Sequence, residues 1–212
     1  RFDLTPGTGH VEVTGREHVE AVKASGRPAI FISGHFANWE LMAAVLCRDL
    51  PGTRVTYRHA NNPIVDRRII AQRQAYGIRI LAPKGGDGAK EVLKALKAGD
   101  SVALMNDQKM NDGIAAPLFG REAMTASGPT RLAMKHGAPL VPMSIQRVEG
   151  VRHIVRYHAP IEVSETPDRA QAVLETVTRI NRFVEDQVRA APAQWFWVHR
   201  RFGKDIYRIR SG

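Results

Sequence analysis

Short apolar runs of strand length alternate with amphipathic helical stretches along most of this chain, and few architectures accommodate that order. The run "PAIFIS" (Pro28 to Ser33) has the composition of a buried strand. It is followed by "WELMAAVLCRDL" (Trp39 to Leu50), rich in helix formers, with Asn38 placed to cap it. "TRVTYR" (Thr53 to Arg58) reads as a second strand, and the segment from Asn62 to Gly77 as a helix with Pro63 in its first turn and Gly77 at its end. Strand "IRIL" (Ile78 to Leu81), a helix from Asp87 to Ala98 and strand "SVALM" (Ser101 to Met105) come next. A helix from about Gly128 to His136, strands at Pro139 to Gln146 and His153 to His158, and a long helix from Asp168 to Ala190 complete the pattern. In the last helix Val173, Val177, Ile180 and Val184 step at three and four residues, which gives it one apolar face. The expected fold is a single α/β domain with a central, largely parallel mixed sheet flanked by helices.

In such sheets ligands bind beyond the C-terminal ends of the strands, so the loops there carry the functional information. The four loops "GHFANWE", "RHANNP", "APKGGDG" and "NDQKMNDG" are all polar, and the alternation brings them to one edge of the sheet. In the first, His35 follows the strand and Glu40 falls in the first helical turn. A neutral imidazole takes a proton from a hydroxyl near neutral pH, and a carboxylate on its other nitrogen fixes the tautomer and stabilises the imidazolium. Spacing alone leaves the alternative open, a structural histidine bonded to backbone at a strand end. HExxH, paired-cysteine, GxSxG and GxxxxGK[ST] patterns are absent, which argues against a zinc hydrolase, a serine hydrolase and a P-loop NTPase.

Charge narrows the partners. With 31 Lys and Arg against 21 Asp and Glu, the net charge of +10 favours anionic surfaces: nucleic acid, an acidic protein, phosphorylated substrates or an acidic membrane. The lone cysteine, Cys47, excludes an internal disulfide framework and reads as a small core residue. No apolar run reaches the roughly 18 residues that span a bilayer, so the chain as given is expected to be soluble.

Four blocks occur in order: "FISGHFANWELM", "YRHANNPIVDRRI", the stretch from "PKGG" through "NDQ" and "PLFGREAMT" to "PLVPMSI", and finally "QWFWVHRRF". In that order the chain resembles the bacterial lipid A late acyltransferases, the lauroyl and myristoyl transferases, within the wider group of HxxxxD/E glycerolipid acyltransferases. The resemblance covers about Ile30 to Phe202. It implies one acyltransferase domain over residues 1–212, with the N-terminal membrane segment usual in the family not present in this chain.

The implied reaction is transfer of a fatty acyl group from the thioester of acyl carrier protein to a hydroxyl of a lipid A precursor. His35 is then the general base and Glu40 its orienter. Asn38, Arg58, Asn62, Asp107, Gln108, Phe119, Gly120, Thr125 and Arg200 are expected to bind substrate, Asp107 and Gln108 either by orienting it or by pairing with a basic residue across the site. No cofactor and no metal are expected. Acyl carrier protein, the lipid A precursor and an anionic membrane surface are the expected partners, nucleic acid is not, and the expected location is the cytoplasmic face of the bacterial inner membrane.

Two other readings stand beside this one. A related acyltransferase acting on a phosphatidylinositol mannoside or a lysophospholipid, from acyl-CoA or acyl carrier protein, would share the chemistry. A basic protein binding anionic lipid or nucleic acid without catalysis would share the charge, and the interleaved aromatic and basic residues of "VHRRFGKDIYRIR" suit it.

Overall fold

A computed structural model describes Leu4, residues 9–81 and residues 88–207. Its elements are β1 (Val11–Thr14), α1 (Arg16–Ser25), β2 (Ile30–Ser33), α2 (Trp39–Asp49), β3 (Arg54–Thr56), α3 (Pro63–Ala75), β4 (Arg79–Leu81) and α4 (Gly88–Lys97). They continue as β5 (Val102–Met105), β6 (Ile114–Leu118), β7 (Arg121–Thr125), α5 (Gly128–His136), β8 (Leu140–Glu149), β9 (Arg152–Tyr157) and α6 (Arg169–Ala190). Seven strands form one sheet in the order β1-β9-β8-β2-β5-β3-β4, and β6 and β7 form a separate antiparallel hairpin. Within the large sheet only β8 and β9 run antiparallel, so the expected largely parallel mixed sheet flanked by helices is what the chain adopts.

The two faces of the sheet are filled by alternate residues of the same strands. Ile30 and Ile32 of β2 join Val102 and Leu104 of β5 against Val92, Ala95 and Leu96 of α4 and Ala133 of α5. Phe31 packs on the opposite face with Leu41, Met42, Val45 and Leu46 of α2 and Val19 and Val22 of α1. Strand residues covered on both faces read as an unbroken apolar run, which is why "PAIFIS" shows no alternation. Cys47 lies on the buried face of α2, and burial pushes its thiol up to about 11, which keeps it unreactive.

Helix ends follow the capping residues. Asn38 accepts the N–H of Leu41 at 3.3 Å, Asn62 accepts that of Ile64 at 2.9 Å, and Asp168 accepts that of Ala170 at 2.8 Å. The segments that the sequence pattern did not single out are β1, α1 and the β6–β7 hairpin. The hairpin turns at Phe119 and Gly120, whose φ values of 52° and 71° lie in the left-handed region. The turn "PKGG" (Pro83 to Gly86) lies outside the described residues.

Candidate active site

His35 leaves the C-terminal end of β2 on a turn that two distant segments hold in place. Asp107, two residues past β5, accepts the backbone N–H of His35 through Oδ2 at 2.8 Å and bonds the ring Nδ1 through Oδ1 at 2.8 Å. The indole Nε1 of Trp195 donates to the same Oδ2 at 2.8 Å. The backbone around Trp195 closes the ring of contacts: Ala37 N–H donates to Gln194 O at 2.7 Å, and Phe196 N–H donates to His35 O at 3.0 Å. Gly34 makes the approach possible, since a Cβ there would meet the Phe36 ring at 2.6 Å and the Asp107 Cβ at 3.1 Å. Ala37, at φ 39°, takes the strained position in the turn.

This geometry gives the imidazole one committed nitrogen and one free for chemistry. The Asp107 side chain is only 2% exposed, whereas that of His35 is 20% exposed. Burial acts to raise the Asp107 carboxyl, but the His35 hydrogen bonds, the imidazole charge and the Trp195 N–H outweigh it and hold the group below the usual carboxylate range. An ionised Asp107 fixes Nδ1 as the protonated nitrogen and leaves Nε2 as the acceptor. The rings of Trp39 and Phe196 stand 5.1 Å and 6.2 Å from the His35 ring, forming an apolar collar around it.

The expected His35–Glu40 hydrogen bond is not formed. Glu40 is instead held by Arg73 of α3, which donates from Nε at 2.8 Å and also from Nη2. The reason is positional: Glu40 sits on the first turn of α2 facing α3, and Asp107 already occupies the Nδ1 side of His35. Arg73 in turn lies over the Tyr57 ring at 4.4 Å, so Glu40, Arg73 and Tyr57 form one wall.

His35 and that wall open into a cavity of about 790 Å³ lined by residues of β2, α2, β3, β5, α4 and the start of α5. Among the residues expected at the site, His35, Glu40, Arg58 and Gln108 line it, and Asp107 supports it from behind. Asn38 and Asn62 serve as helix caps, with their side-chain oxygens turned to backbone N–H groups. Phe119 and Gly120 form the hairpin turn against α6, where Phe119 N–H donates to Glu185 at 2.6 Å and Arg189 covers the ring. Thr125, the last residue of β7, is buried and bonds Asn181.

Arg200 and its neighbour Arg201 differ in placement. Arg200 is exposed, with its guanidinium 5.5 Å from the Tyr207 ring centroid. Arg201 is 3% exposed and donates to Met124 O at 2.9 Å and to Thr125 Oγ1 at 2.6 Å. Sequence reasoning also passed over Arg73 and the indole N–H of Trp195. The available signal was the dense "QWFWVHRRF" block, which identified the segment without saying which of its side chains turns inward.

The fold and site define an α/β protein in which a carboxylate-oriented histidine stands at the mouth of a largely apolar cavity. The chain belongs to the bacterial lipid A biosynthesis acyltransferase family, whose pattern matches residues 8–204. It is 34% identical over 194 residues to the lipid A biosynthesis lauroyltransferase of Escherichia coli K12, covering 90% of this chain and 61% of that protein. The lipid A biosynthesis palmitoleoyltransferase of the same organism is 24% identical, with 90% of this chain and 61% of that protein covered. A phosphatidylinositol mannoside acyltransferase of Mycobacterium tuberculosis is 30% identical over 202 residues, covering 93% of this chain and 62% of that protein. The chain thus spans about three-fifths of the length of these relatives.

Proposed function

We propose that this protein transfers a fatty acyl group from the thioester of acyl carrier protein to a hydroxyl of a lipid A precursor, with His35 as general base. The observation that carries the reading is the Asp107–His35 hydrogen bond at the mouth of the apolar cavity. Nε2 of His35 takes the hydroxyl proton while the oxygen attacks the thioester carbonyl carbon. Asp107 stabilises the imidazolium that forms. Collapse of the tetrahedral oxyanion breaks the C–S bond, and the sulfur leaves as the thiol, taking the proton from Nε2 and returning His35 to its neutral form. No acyl-enzyme, cofactor or metal enters this sequence of steps.

The cavity suits the donor's hydrocarbon: Phe31, Ile32, Met42, Leu46, Leu104 and Leu132 are among the residues that line it. Arg58, exposed at its edge, is the group placed to meet a substrate phosphate, and Gln108 contributes a polar contact. The net charge of +10 fits the acidic carrier protein, the phosphates of the precursor and an anionic bilayer surface, and it supports a reading in which the protein works at the cytoplasmic face of the inner membrane. No described helix is long and apolar enough to cross a membrane.

The test is acyl transfer by the purified protein from acyl carrier protein thioesters of different chain length to a lipid A precursor, read by mass spectrometry. The mycobacterial relatives make a second acceptor worth including, a phosphatidylinositol mannoside with acyl-CoA as donor. A product containing the precursor and one added acyl chain, absent with His35→Ala, supports the proposal. Transfer to the mannoside alone would move the activity to that acceptor, and transfer to neither would overturn it.

A further inference from the structure

Asn106 carries a side chain that the fold leaves unused. It is 2% exposed, and neither Oδ1 nor Nδ2 has a hydrogen-bond partner among the described residues. Its backbone is fixed, since the N–H donates to Ser33 O at 2.8 Å, immediately beyond the end of β5 and one residue before Asp107. Along β5, Ala103 and Met105 pack with the α2 core, while Val102 and Leu104 pack with the core under α4 and α5. Period-two alternation continues Asp107 on the first row, where it meets His35, and Asn106 on the second.

Asn106 lines the 790 Å³ cavity, as do Val92 of α4 and Pro129 and Leu132 of α5. A buried carboxamide without partners destabilises the folded state, and an apolar side chain of similar shape removes that penalty. The group therefore needs an explanation other than stability. Its oxygen accepts and its nitrogen donates, so its complement is a group that does both: a hydroxyl or a secondary amide.

We propose that Asn106 is a substrate-binding residue, pairing through Oδ1 and Nδ2 with a hydroxyl or amide borne by one of the two acyl-transfer substrates. This rests on the acyltransferase reading above. Two sources offer that chemistry, the amides of the donor's phosphopantetheine arm and the hydroxyl or amide groups of the acceptor. A site built to hydrogen-bond a substrate group discriminates strongly through it, because the unpaired partner is left buried.

The experiment compares Asn106→Leu with the wild-type protein in steady-state transfer, varying donor and acceptor separately, and in thermal unfolding. The expected result is a fall in kcat/KM of at least about 10-fold for one varied substrate. The thermal midpoint should hold or rise by about 2–4 °C, because the unpaired amide is gone. The substrate whose kcat/KM falls identifies the source of the bonding group. Wild-type kinetics for both substrates overturn the proposal, as does lost activity accompanied by a lowered midpoint in both Asn106→Leu and Asn106→Ala, which marks Asn106 as a structural residue. Should the leucine shape itself destabilise the protein, Asn106→Ala is judged by the same two readouts. If the wild-type protein transfers no acyl group, the acyltransferase reading fails first and this proposal with it; failure of Asn106 alone leaves that reading intact.

Discussion

Asp107 holds His35 at two points, the backbone N–H and the ring Nδ1, each at 2.8 Å and across 72 residues of sequence. The same carboxylate is anchored by the Trp195 indole. Backbone and ring are thus oriented by one buried anion, and the tautomer of the histidine follows from its charge.

Replacing that charge while keeping the shape is the sharpest test of the pair. In Asp107→Asn the retained oxygen still accepts from Trp195 and from the His35 backbone, but the amide NH₂ faces Nδ1 and favours the tautomer with a proton on Nε2. The expected outcome is a loss of about 10²- to 10⁴-fold in kcat for acyl transfer with the fold preserved by circular dichroism. Turnover within a factor of a few of wild type would remove Asp107 from the mechanism.

Glu40 and Arg73 should behave as one unit. Either single alanine variant is expected to slow transfer by loosening the wall they form with Tyr57, and the double variant should be little worse than the more severe single one. The coupling read from such a cycle should be about 0.5 kcal/mol or more. Strict additivity would mean that Glu40 acts independently of Arg73, as it would in direct service of His35.

Arg201 and Arg200 should separate in stability. The buried guanidinium ties the C-terminal segment to Met124 and Thr125, and truncating it removes both ties and leaves a cavity. Denaturant unfolding of Arg201→Ala is expected to show a loss of about 2–4 kcal/mol, whereas Arg200→Ala stays within about 0.5 kcal/mol. Equal losses would contradict the inward placement of Arg201.

Stability should fall on mild acidification, and His158 should account for part of that fall. Its Nε2 is 2.8 Å from Ser144 Oγ and its ring packs edge-on to Phe183. Burial first, then the charges of Arg156 and His18, lower its pKa from the ordinary 6.5. The unfolded chain therefore binds more protons below that value, so this contribution is complete above 6.5 and is lost as the pH falls toward the folded pKa. His153, also lowered by burial, adds in the same direction. Melting temperatures across about pH 8 to 5 should drop in the wild type and drop less in His158→Gln. An unchanged slope in the variant would assign the effect elsewhere.

Much of this protein was written in local pattern. The two-sided apolar strands, the helix caps at Asn38, Asn62 and Asp168, and the histidine after β2 follow from residue chemistry within a few positions of chain, because propensity, capping and burial act at that range. β1, α1 and the β6–β7 hairpin were harder to read, their segments being short and carrying weaker patterns. The choice of Asp107 over Glu40 as the partner of His35 was beyond sequence spacing. It depends on β2 and β5 lying side by side in parallel register, with Ser33 opposite Met105, and on α3 bringing Arg73 to Glu40. Likewise only the folded chain decides that Arg201 rather than Arg200 turns inward, since the Phe36–Trp195 bridge fixes how the C-terminal segment meets the site. Sequence carries the donors and acceptors, but hydrogen bonds form across a few ångströms, and residues 72 positions apart come that close only through the packing of the sheet.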